Sequence, residues 1–529
     1  MTERIYLYDT TLRDGAQTRG INLSFKDKQR IAAWLDQLGM AYIEGGWPGA
    51  NPTDDDFFAE PPVLKNALFT SFGMTCRAGS QAAEDEGLRK LIVPSVKAVC
   101  LVGKTWDFHV TEALKTSLEE NLRMIRDSLS FVLSQGKEAL FDAEHFFDGF
   151  KAHEEYALSC LREAEKAGAS WLVLCDTNGG TLPDEVEAIV RKVREALPSA
   201  KLGIHCHDDT GNAVANSLVA VRAGCRMVQG TLNGLGERCG NANLISLIPS
   251  LHFKMGYDLG LSEDAFKNLS KVSRSFAALL DRDLPSNAPY VGTSAFAHKA
   301  GLHVSAIVKN PRTYEHFSPE LVGNSRDFIV SNQSGLSNLR QQLGELGIEV
   351  DDRDPALGAL LAEIKERSQR GYAYDHALAS FALLSLRVLG RLPDFFSIQN
   401  CAIHNIGSSS PSGADLDMTS YASVKLRIGD QSMDAVAEGV GPVNALDAAL
   451  RRALVETYPQ IEAIKLTDYH VRILDSKSAT AATTRVLLES ENAKDSGVWV
   501  TVGMSANIIN ASLQALCDSY AYGILRMKE

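Results

Sequence analysis

The chain has 529 residues and a formal net charge of −13 at pH 7. Its length is enough for two or three domains with a large core, and 45% hydrophobic and 22% charged residues are ordinary for a globular protein. The acidic balance argues against nucleic acid or an anionic membrane as a partner. The nine cysteines, without a C-x-x-C pair, fit a reducing compartment. With no signal peptide and no apolar run that could span a bilayer, we expect a cytoplasmic protein.

Short apolar and aromatic runs alternate with segments of helical periodicity in the first half of the chain. The first predicted strand covers residues 5–9, and a helix over 25–38 follows it, with Ser24 as N-cap and Gly39 as its stop. Eight strands, each followed by a helix within roughly 250 residues, predict a closed (β/α)8 TIM barrel with its active site at the carboxyl ends of the strands. An open doubly wound sheet is the alternative, but no G-x-G-x-x-G turn follows the first strand. The other seven predicted strands are 42–44, 68–72, 98–102, 140–144, 171–176, 202–207 and 227–232.

Two histidines at a spacing of two end the seventh predicted strand. His205 and His207 face the same side, because side chains alternate across a strand. Asp14 follows the first strand, which is a close neighbour of the seventh around a closed barrel. Two imidazoles and a carboxylate form a natural ligand set for a divalent metal. Taken alone, the two histidines are explained as polar residues at a strand end, and Asp14 is explained as the partner of Arg13 in an ion pair. Closure of the barrel brings the three residues together and therefore favours the metal site.

The pattern of polar and apolar residues changes twice after the barrel. We predict a catalytic barrel over residues 1–275, a helical linker over 276–395 and a C-terminal α+β domain over 396–529. The last part alternates polar and apolar residues in strands such as 423–428 and ends in a helix over 508–525. It contains no convergent nucleophiles, metal ligands or phosphate loop. Its small-residue turns, such as 407–413, suit a ligand-responsive or dimerising module.

Three segments resemble signature sequences of the metal-dependent, Claisen-condensing TIM barrels: residues 9–17, 205–208 and 234–242. That family includes 2-isopropylmalate, homocitrate and citramalate synthases, with a lyase branch beside them. The resemblance covers nearly the whole chain, because the C-terminal third is similar to the regulatory domain of the first and last of these. Segments 43–52 and 141–149 are most similar to the citramalate synthase branch.

The resemblance implies how the metal and the acceptor are held. Asp14, His205 and His207, with Asn241 as a neutral fourth ligand, would bind zinc, manganese or magnesium. The metal would chelate an α-keto acid and polarise its ketone. Arg13 would stabilise the alkoxide that forms there, since a fixed cation acts more strongly in a water-poor pocket than in solvent.

The resemblance also assigns the remaining site residues. Gln17, Thr177 and Glu144 correspond to positions that bind or orient substrate, and Glu144 is placed in the catalytic set. His303, coupled to Tyr314, would remove the methyl proton of acetyl-CoA. In the family these two positions lie on a linker that reaches over an active site, often that of the other subunit of a dimer.

The predicted function is the condensation of acetyl-CoA with pyruvate to (R)-citramalate and CoA, the first step of a pyruvate-derived isoleucine pathway. The alternative acceptor is 2-oxoisovalerate, which would make the chain a 2-isopropylmalate synthase. A lyase or aldolase would not need such a regulatory domain, and the joint presence of Arg13, Asp14 and Glu144 with the two histidines disfavours a regulator on an inactive barrel. We expect a homodimer and an amino-acid effector, isoleucine rather than leucine.

Overall fold

The computed structural model describes residues 3–298, 301–328, 335–351, 353–409, 416–474, 482–494 and 497–527. Two compact units make up the chain. The first comprises Met1–Phe296 with Ser318–Ser325, and the second comprises Ala297–Phe317 with Arg326–Glu529. Within the described ranges, none of the helices combines the length and the apolar character needed to cross a membrane.

The first unit is a closed barrel of parallel strands in the order β1 to β8, in which β8 pairs with β1. Buried aromatic side chains such as Tyr8, Tyr42 and Trp171 pack in its interior. The predicted (β/α)8 fold is therefore confirmed. The strands are β1 Tyr6–Asp9, β2 Tyr42–Gly46, β3 Leu68–Met74, β4 Ala98–Lys104, β5 Glu138–Glu144, β6 Trp171–Asp176, β7 Leu202–Cys206 and β8 Met227–Gly230.

Helices surround the barrel, and the first of them begins and ends where its capping residues predict. The Ser24 hydroxyl accepts a hydrogen bond from the backbone N–H of Asp27, whose carboxylate accepts one from the backbone of Ser24. Gly39 ends the helix in the left-handed region, at φ 86°. The helices of this unit are α1 Phe25–Leu38, α2 Pro52–Ala59, α3 Glu86–Leu91, α4 Asp107–Glu112, α5 Leu118–Ser134, α6 Phe146–Ala152, α7 Glu154–Ala167, α8 Pro183–Ala196, α9 Ala213–Ala223, α10 Leu244–Pro249, α11 Glu263–Lys267 and α12 Leu269–Leu279.

The seventh and eighth strands end earlier than the apolar pattern predicts. β7 stops at Cys206, because His207 leaves the parallel ladder and forms an isolated antiparallel bridge with Asn241. β8 stops at Gly230, and Thr231 forms a parallel bridge with Asn243. The loop after β8 is thereby held against the ends of both strands.

The second unit begins with short strands and helices. β9 pairs with β10 in a two-stranded parallel sheet, and the last three helices of this region share one apolar core that includes Leu339, Leu360 and Phe381. The predicted helical character of the linker agrees with these elements. They are β9 Ala297–His298, α13 Gly301–Lys309, β10 Asp327–Phe328, α14 Leu336–Glu345, α15 Ala356–Arg370 and α16 Leu378–Val388.

The C-terminal part repeats one arrangement twice, a three-stranded antiparallel sheet followed by a helix. Both halves contribute to one core, with Leu446 and Leu450 from the first helix and Leu516 and Tyr520 from the second. The predicted α+β class is confirmed, while most of the predicted turn at 407–413 lies outside the described residues. The elements are β11 Ser397–Ser409, β12 Leu416–Ile428, β13 Gln431–Gly439, α17 Pro442–Leu454, β14 Ile464–Ile473, β15 Thr484–Asn492, β16 Gly497–Ser505 and α18 Ile508–Arg526.

All nine cysteines are free thiols. Six are buried, Cys401 and Cys517 are half-buried, and Cys239 is exposed. Burial raises the pKa of the Cys206 thiol. Cys206 lies between His205 and His207 in the sequence, and its buried side chain packs away from theirs, as the alternation of side chains predicts.

Candidate metal centre and active site

Asp14, His205 and His207 converge at the carboxyl ends of the barrel strands. The Oδ2 atom of Asp14 lies 3.4 Å from Nε2 of His205 and 3.8 Å from Nε2 of His207. One ligand atom from each of the three residues lies within 4.8 Å of the others, and all three side chains are buried. The structure therefore contains a site that could hold a metal ion, at the place where barrel closure predicts it.

Buried atoms without partners test whether these residues fit a cation. Oδ1 of Asp14 and Oδ1 of Asn241 are buried and accept no hydrogen bond within the described part of the chain. The amide nitrogen of Asn241 donates to the carbonyl of Leu235 at 3.4 Å, so its oxygen is the free end. An unpaired buried oxygen costs about 1–3 kcal/mol, and a divalent metal would remove that cost. The donor set of two imidazoles, a carboxylate and an amide therefore fits a divalent cation.

A hydrogen-bond chain fixes the ring of His205. Its Nδ1 lies 2.8 Å from Oε1 of Gln229, and Nε2 of Gln229 donates to Oδ1 of Asp142 at 2.9 Å. Because the amide oxygen can only accept, Nδ1 of His205 carries the hydrogen, and Nε2 keeps its lone pair for a ligand. Burial raises the pKa of the Asp142 carboxyl. Gln229 and Asp142 were not expected, although each is a polar residue inside an otherwise apolar strand.

The charge states of Asp14 and His207 also suit a metal. Burial alone would lower the pKa of His205, but the hydrogen bond and the charge of Asp14 raise it, so a metal would have to displace a proton there. Burial opposes ionisation of Asp14, yet Arg13 and His205 hold the pKa of its carboxyl well below the usual range. Burial and the neighbouring His205 lower the pKa of His207 to about 4. His207 is therefore neutral at pH 7, the form in which imidazole binds metals.

Arg13 is held rigidly beside the ligand set. Its Nε donates to Oε1 of Glu44 at 2.6 Å, and its guanidinium carbon lies 3.9 Å from the centre of the Phe72 ring. Glu44 is fully buried and also accepts a hydrogen bond from the hydroxyl of Tyr8 at 2.7 Å. Burial alone would lower the pKa of Arg13, but the carboxylates of Glu44 and Asp14 raise it above its usual value. Arg13 is therefore a permanent, fixed cation.

A cavity of about 280 Å³ opens above these residues. Trp47 and Phe72 form part of its apolar wall, with their rings edge to face at 5.7 Å. Glu144 forms an ion pair with Lys104, and the hydroxyl of Thr177 accepts the backbone N–H of His145 at 2.8 Å. The predicted site residues that the cavity brings together are Arg13, Asp14, Gln17, Glu144, Thr177, His205 and His207.

Comparisons with known proteins agree with this geometry. The HMGL-like family matches residues 4–273, the homocitrate synthase post-HMGL domain-like family matches 290–371, and the LeuA allosteric (dimerisation) domain matches 377–524. The chain is 48% identical to the (R)-citramalate synthase of Aquifex aeolicus, covering 100% of this chain and 99% of that protein. It is also 48% identical to that of Synechocystis and 47% identical to that of Geobacter sulfurreducens, covering 98% and 99% of this chain and 96% and 98% of those proteins. The chain belongs to the (R)-citramalate synthase family.

Membership of the (R)-citramalate synthase family confirms the resemblance found in the sequence. It also confirms that the chain is an enzyme of the condensing, acyl-transferring class. The match to the LeuA allosteric (dimerisation) domain agrees with a regulatory module in the C-terminal part.

The other two predicted catalytic residues belong to the second unit. His303 lies on α13, and Tyr314 follows a short turn after it. Their rings stack with centres 4.1 Å apart, and both are exposed. The structure places the two rings in contact, and their catalytic role stays a prediction.

Arg238 was not expected at the cavity, although it lies within a signature segment of the family. Its guanidinium donates to both carboxylate oxygens of Asp209, at 2.7 and 2.9 Å, and to the carbonyl of Thr177 at 2.8 Å. These bonds fix the loop after β8 across the ends of β6 and β7. Lys104 and Trp47 were not expected at the cavity either. Arg238, Lys104 and Trp47 lie on loops or at strand ends, where sequence periodicity does not predict the direction in which a side chain points.

Proposed function

We propose that this enzyme condenses acetyl-CoA with pyruvate and water to give (R)-citramalate and CoA. One observation carries the proposal: the Asp14, His205 and His207 set shares a single cavity with Arg13 and Glu144. Full-length identity of 48% to an (R)-citramalate synthase supports the same reaction.

The metal ligands and Arg13 act on the acceptor. Asp14, His205, His207 and Asn241 would hold a divalent cation, zinc, manganese or magnesium, and its Lewis acidity would polarise the ketone of the keto acid. Arg13 stabilises the negative charge that develops on the ketone oxygen, because Glu44 and Phe72 prevent it from turning away.

The remaining cavity residues orient the substrates. Gln17 and Thr177 bind the acceptor, and Glu144, held by Lys104, orients the reacting groups. Binding both reactants in one cavity removes much of the entropic barrier to their reaction.

His303, assisted by Tyr314, acts on the donor, and we assign it to the linker predicted at 276–395. Its imidazole takes a proton from the methyl group of acetyl-CoA, and the resulting enolate carbon forms a bond to the ketone carbon of pyruvate. The former ketone oxygen takes up a proton. Water then attacks the thioester carbonyl, the carbon–sulfur bond breaks, and CoA leaves as the thiol.

Large apolar side chains support pyruvate as the acceptor. Trp47 and Phe72 are packed edge to face, and Met74 and Val102 extend the same wall. The two additional methyl groups of 2-oxoisovalerate would overlap this wall. Steric overlap excludes a substrate that is too large more sharply than unfilled space excludes one that is too small.

The test is acetyl-CoA-dependent thiol release with a panel of α-keto acids, and kcat/KM is compared for each. We expect pyruvate to exceed 2-oxoisovalerate, and chiral chromatography to identify the product as (R)-citramalate. Reactions without keto acid and with His207→Ala serve as controls. A higher kcat/KM with 2-oxoisovalerate would assign the chain to 2-isopropylmalate synthesis instead.

We further propose a cytoplasmic homodimer that is inhibited by isoleucine rather than leucine. The match of residues 377–524 to the LeuA allosteric (dimerisation) domain supports both assembly and regulation. An amino acid derived from citramalate is the chemically sensible inhibitor of its formation. Light scattering on the full chain measures the assembly, and inhibition curves with both amino acids measure the selectivity.

A further inference from the structure

A second cavity, of about 280 Å³, lies beside the metal cavity, the one that contains the three predicted metal ligands. The loop after β1, helix α1 and the start of α2 contribute to its lining. Three residues line both cavities, and they are Arg13, Gln17 and Trp47. The two cavities are therefore neighbours at the mouth of the barrel, and the proposed condensation makes no use of the second one.

Trp47 forms the apolar wall between the two cavities. Its half-buried side chain packs edge to face on Phe72, which lines the metal cavity but not the second cavity. Arg13, another of the shared residues, is held by Glu44 and supplies charge to the site. Truncation of the Trp47 indole therefore removes the wall without removing a charged group from the metal cavity.

A buried ion pair fixes the backbone of Trp47. Its N–H donates a hydrogen bond to Oδ2 of Asp54 at 2.9 Å, and the other carboxylate oxygen pairs with Nζ of Lys28. Lys28 also donates to the carbonyl of Gly45 at 3.0 Å, and both charged side chains are buried. Gly46, at φ 145°, permits this close approach, because a Cβ there would lie 2.6 Å from the Asp54 carboxylate. Such a pair is costly to break, so the segment that carries Trp47 does not move aside for a larger substrate.

We propose that Trp47 sets the upper size of the α-keto acid that the enzyme accepts. When the indole is removed, the second cavity joins the metal cavity and becomes a pocket for an aliphatic side chain, which would pack on Leu12, Ile21 and Leu23. The keto acid would keep its ketone beside Arg13, so the reacting groups stay in place. The inference rests on the proposed condensation, to which it adds a residue that determines specificity.

Thiol release with Trp47→Ala tests the wall. The substrates are pyruvate and 4-methyl-2-oxopentanoate, and the measured quantity is the ratio of their kcat/KM values. One methylene in an apolar pocket changes such a ratio about 10- to 200-fold, so we expect a shift toward the longer acid of at least about tenfold. Trp47→Leu, which retains more packing on Phe72, should shift the ratio in the same direction, and Trp47→Phe should shift it least. An unchanged ratio in both Trp47→Ala and Trp47→Leu overturns the proposal.

Refilling the second cavity tests whether it supplies the added space. Thr53, in the first turn of α2, is half-buried and lines the second cavity but not the metal cavity. Thr53→Phe in the parent is the matched control and should leave both kcat/KM values within about twofold. Added to Trp47→Ala, the same substitution fills the new pocket and should return the ratio at least about fivefold toward the parent value. A ratio that stays at the Trp47→Ala value overturns the second cavity as the pocket.

Calorimetric titration of the metal-loaded full chain, without acetyl-CoA, measures binding apart from turnover. We expect Trp47→Ala to bind 4-methyl-2-oxopentanoate at least about tenfold more tightly than the parent does, and equal affinity overturns the role of the wall. The proposed function fails in a different way, when the parent has a higher kcat/KM with 2-oxoisovalerate than with pyruvate. The shift caused by Trp47→Ala is measured relative to the parent, so it decides the role of Trp47 in either case.

Discussion

The Gln229→Met variant tests whether the orientation of the His205 ring contributes to metal binding, because it changes no metal-ligating atom. Methionine has nearly the volume of glutamine but neither its acceptor nor its donor, so the barrel packing is retained. The substitution leaves Nδ1–H of His205 and Oδ1 of Asp142 without the partners that they now have at 2.8 and 2.9 Å. The ring of His205 is then free to rotate and to exchange its hydrogen between the two nitrogens.

The expected effect on metal binding is large enough to measure. Loss of a hydrogen-bond partner behind a metal-binding histidine commonly weakens affinity about 10- to 100-fold. That range corresponds to about 1.4–2.7 kcal/mol. Two unpaired buried groups also destabilise the fold, by about 1–3 kcal/mol each. The substitution is therefore expected to lower both the affinity for the metal and the free energy of unfolding.

Titration of the metal-stripped full chain with Mn²⁺, followed by the electron paramagnetic resonance signal of the free ion, measures the affinity. Asn216→Leu is the matched control, since this buried amide donates to the carbonyl of Thr181 at 2.8 Å and does not line the metal cavity. We expect the control to lower stability while leaving the Mn²⁺ Kd unchanged. If Gln229→Met binds Mn²⁺ within twofold of the parent, Gln229 serves packing alone and the orientation argument is refuted.

Three further variants test the barrel site. His207→Ala should lower thiol release at least about 100-fold while circular dichroism shows a folded chain, because the metal loses an imidazole ligand; near-parental activity would contradict the metal site. Arg13→Lys should lower kcat more than it raises the keto-acid KM, since lysine keeps the charge but not the planar guanidinium. Steady-state kinetics measures both constants, and a rise in KM alone would assign Arg13 to substrate binding instead. Glu44→Gln should lower the free energy of unfolding by about 3 kcal/mol, because it leaves the Arg13 guanidinium without its main buried anionic partner. Denaturant titration measures the change, and an unchanged unfolding midpoint would refute the prediction.

The barrel could be predicted from sequence because parallel strands are buried on both faces and therefore appear as short apolar runs. β6 is found at both predicted ends, Trp171 and Asp176. β7 is not, because its end is decided by the bridge between His207 and Asn241. That contact joins residues from separate loops, and no local periodicity contains it.

Some residues of the candidate site could be predicted from the sequence and others could not. Asp14, His205 and His207 could be predicted because a spacing of two on a strand and closure of the barrel are both general geometry. Gln229 could not, since its importance depends on strand register: it is the direct partner of His205 between β7 and β8. A polar residue between apolar neighbours in a buried strand is the signal that was available, but it does not reveal which group lies opposite.

The single exposed thiol has a practical consequence for kinetic work on this enzyme. Cys239 is next to Arg238, which lines the barrel cavity, whereas the other eight cysteines are buried or half-buried. A chromogenic disulfide that reports released CoA will also react with Cys239, giving an initial absorbance step that scales with enzyme concentration and not with substrate. The same accessibility allows a fluorescent maleimide to be attached at the residue next to Arg238 without any engineered residue, so that ligand entry can be followed optically in the unmodified sequence.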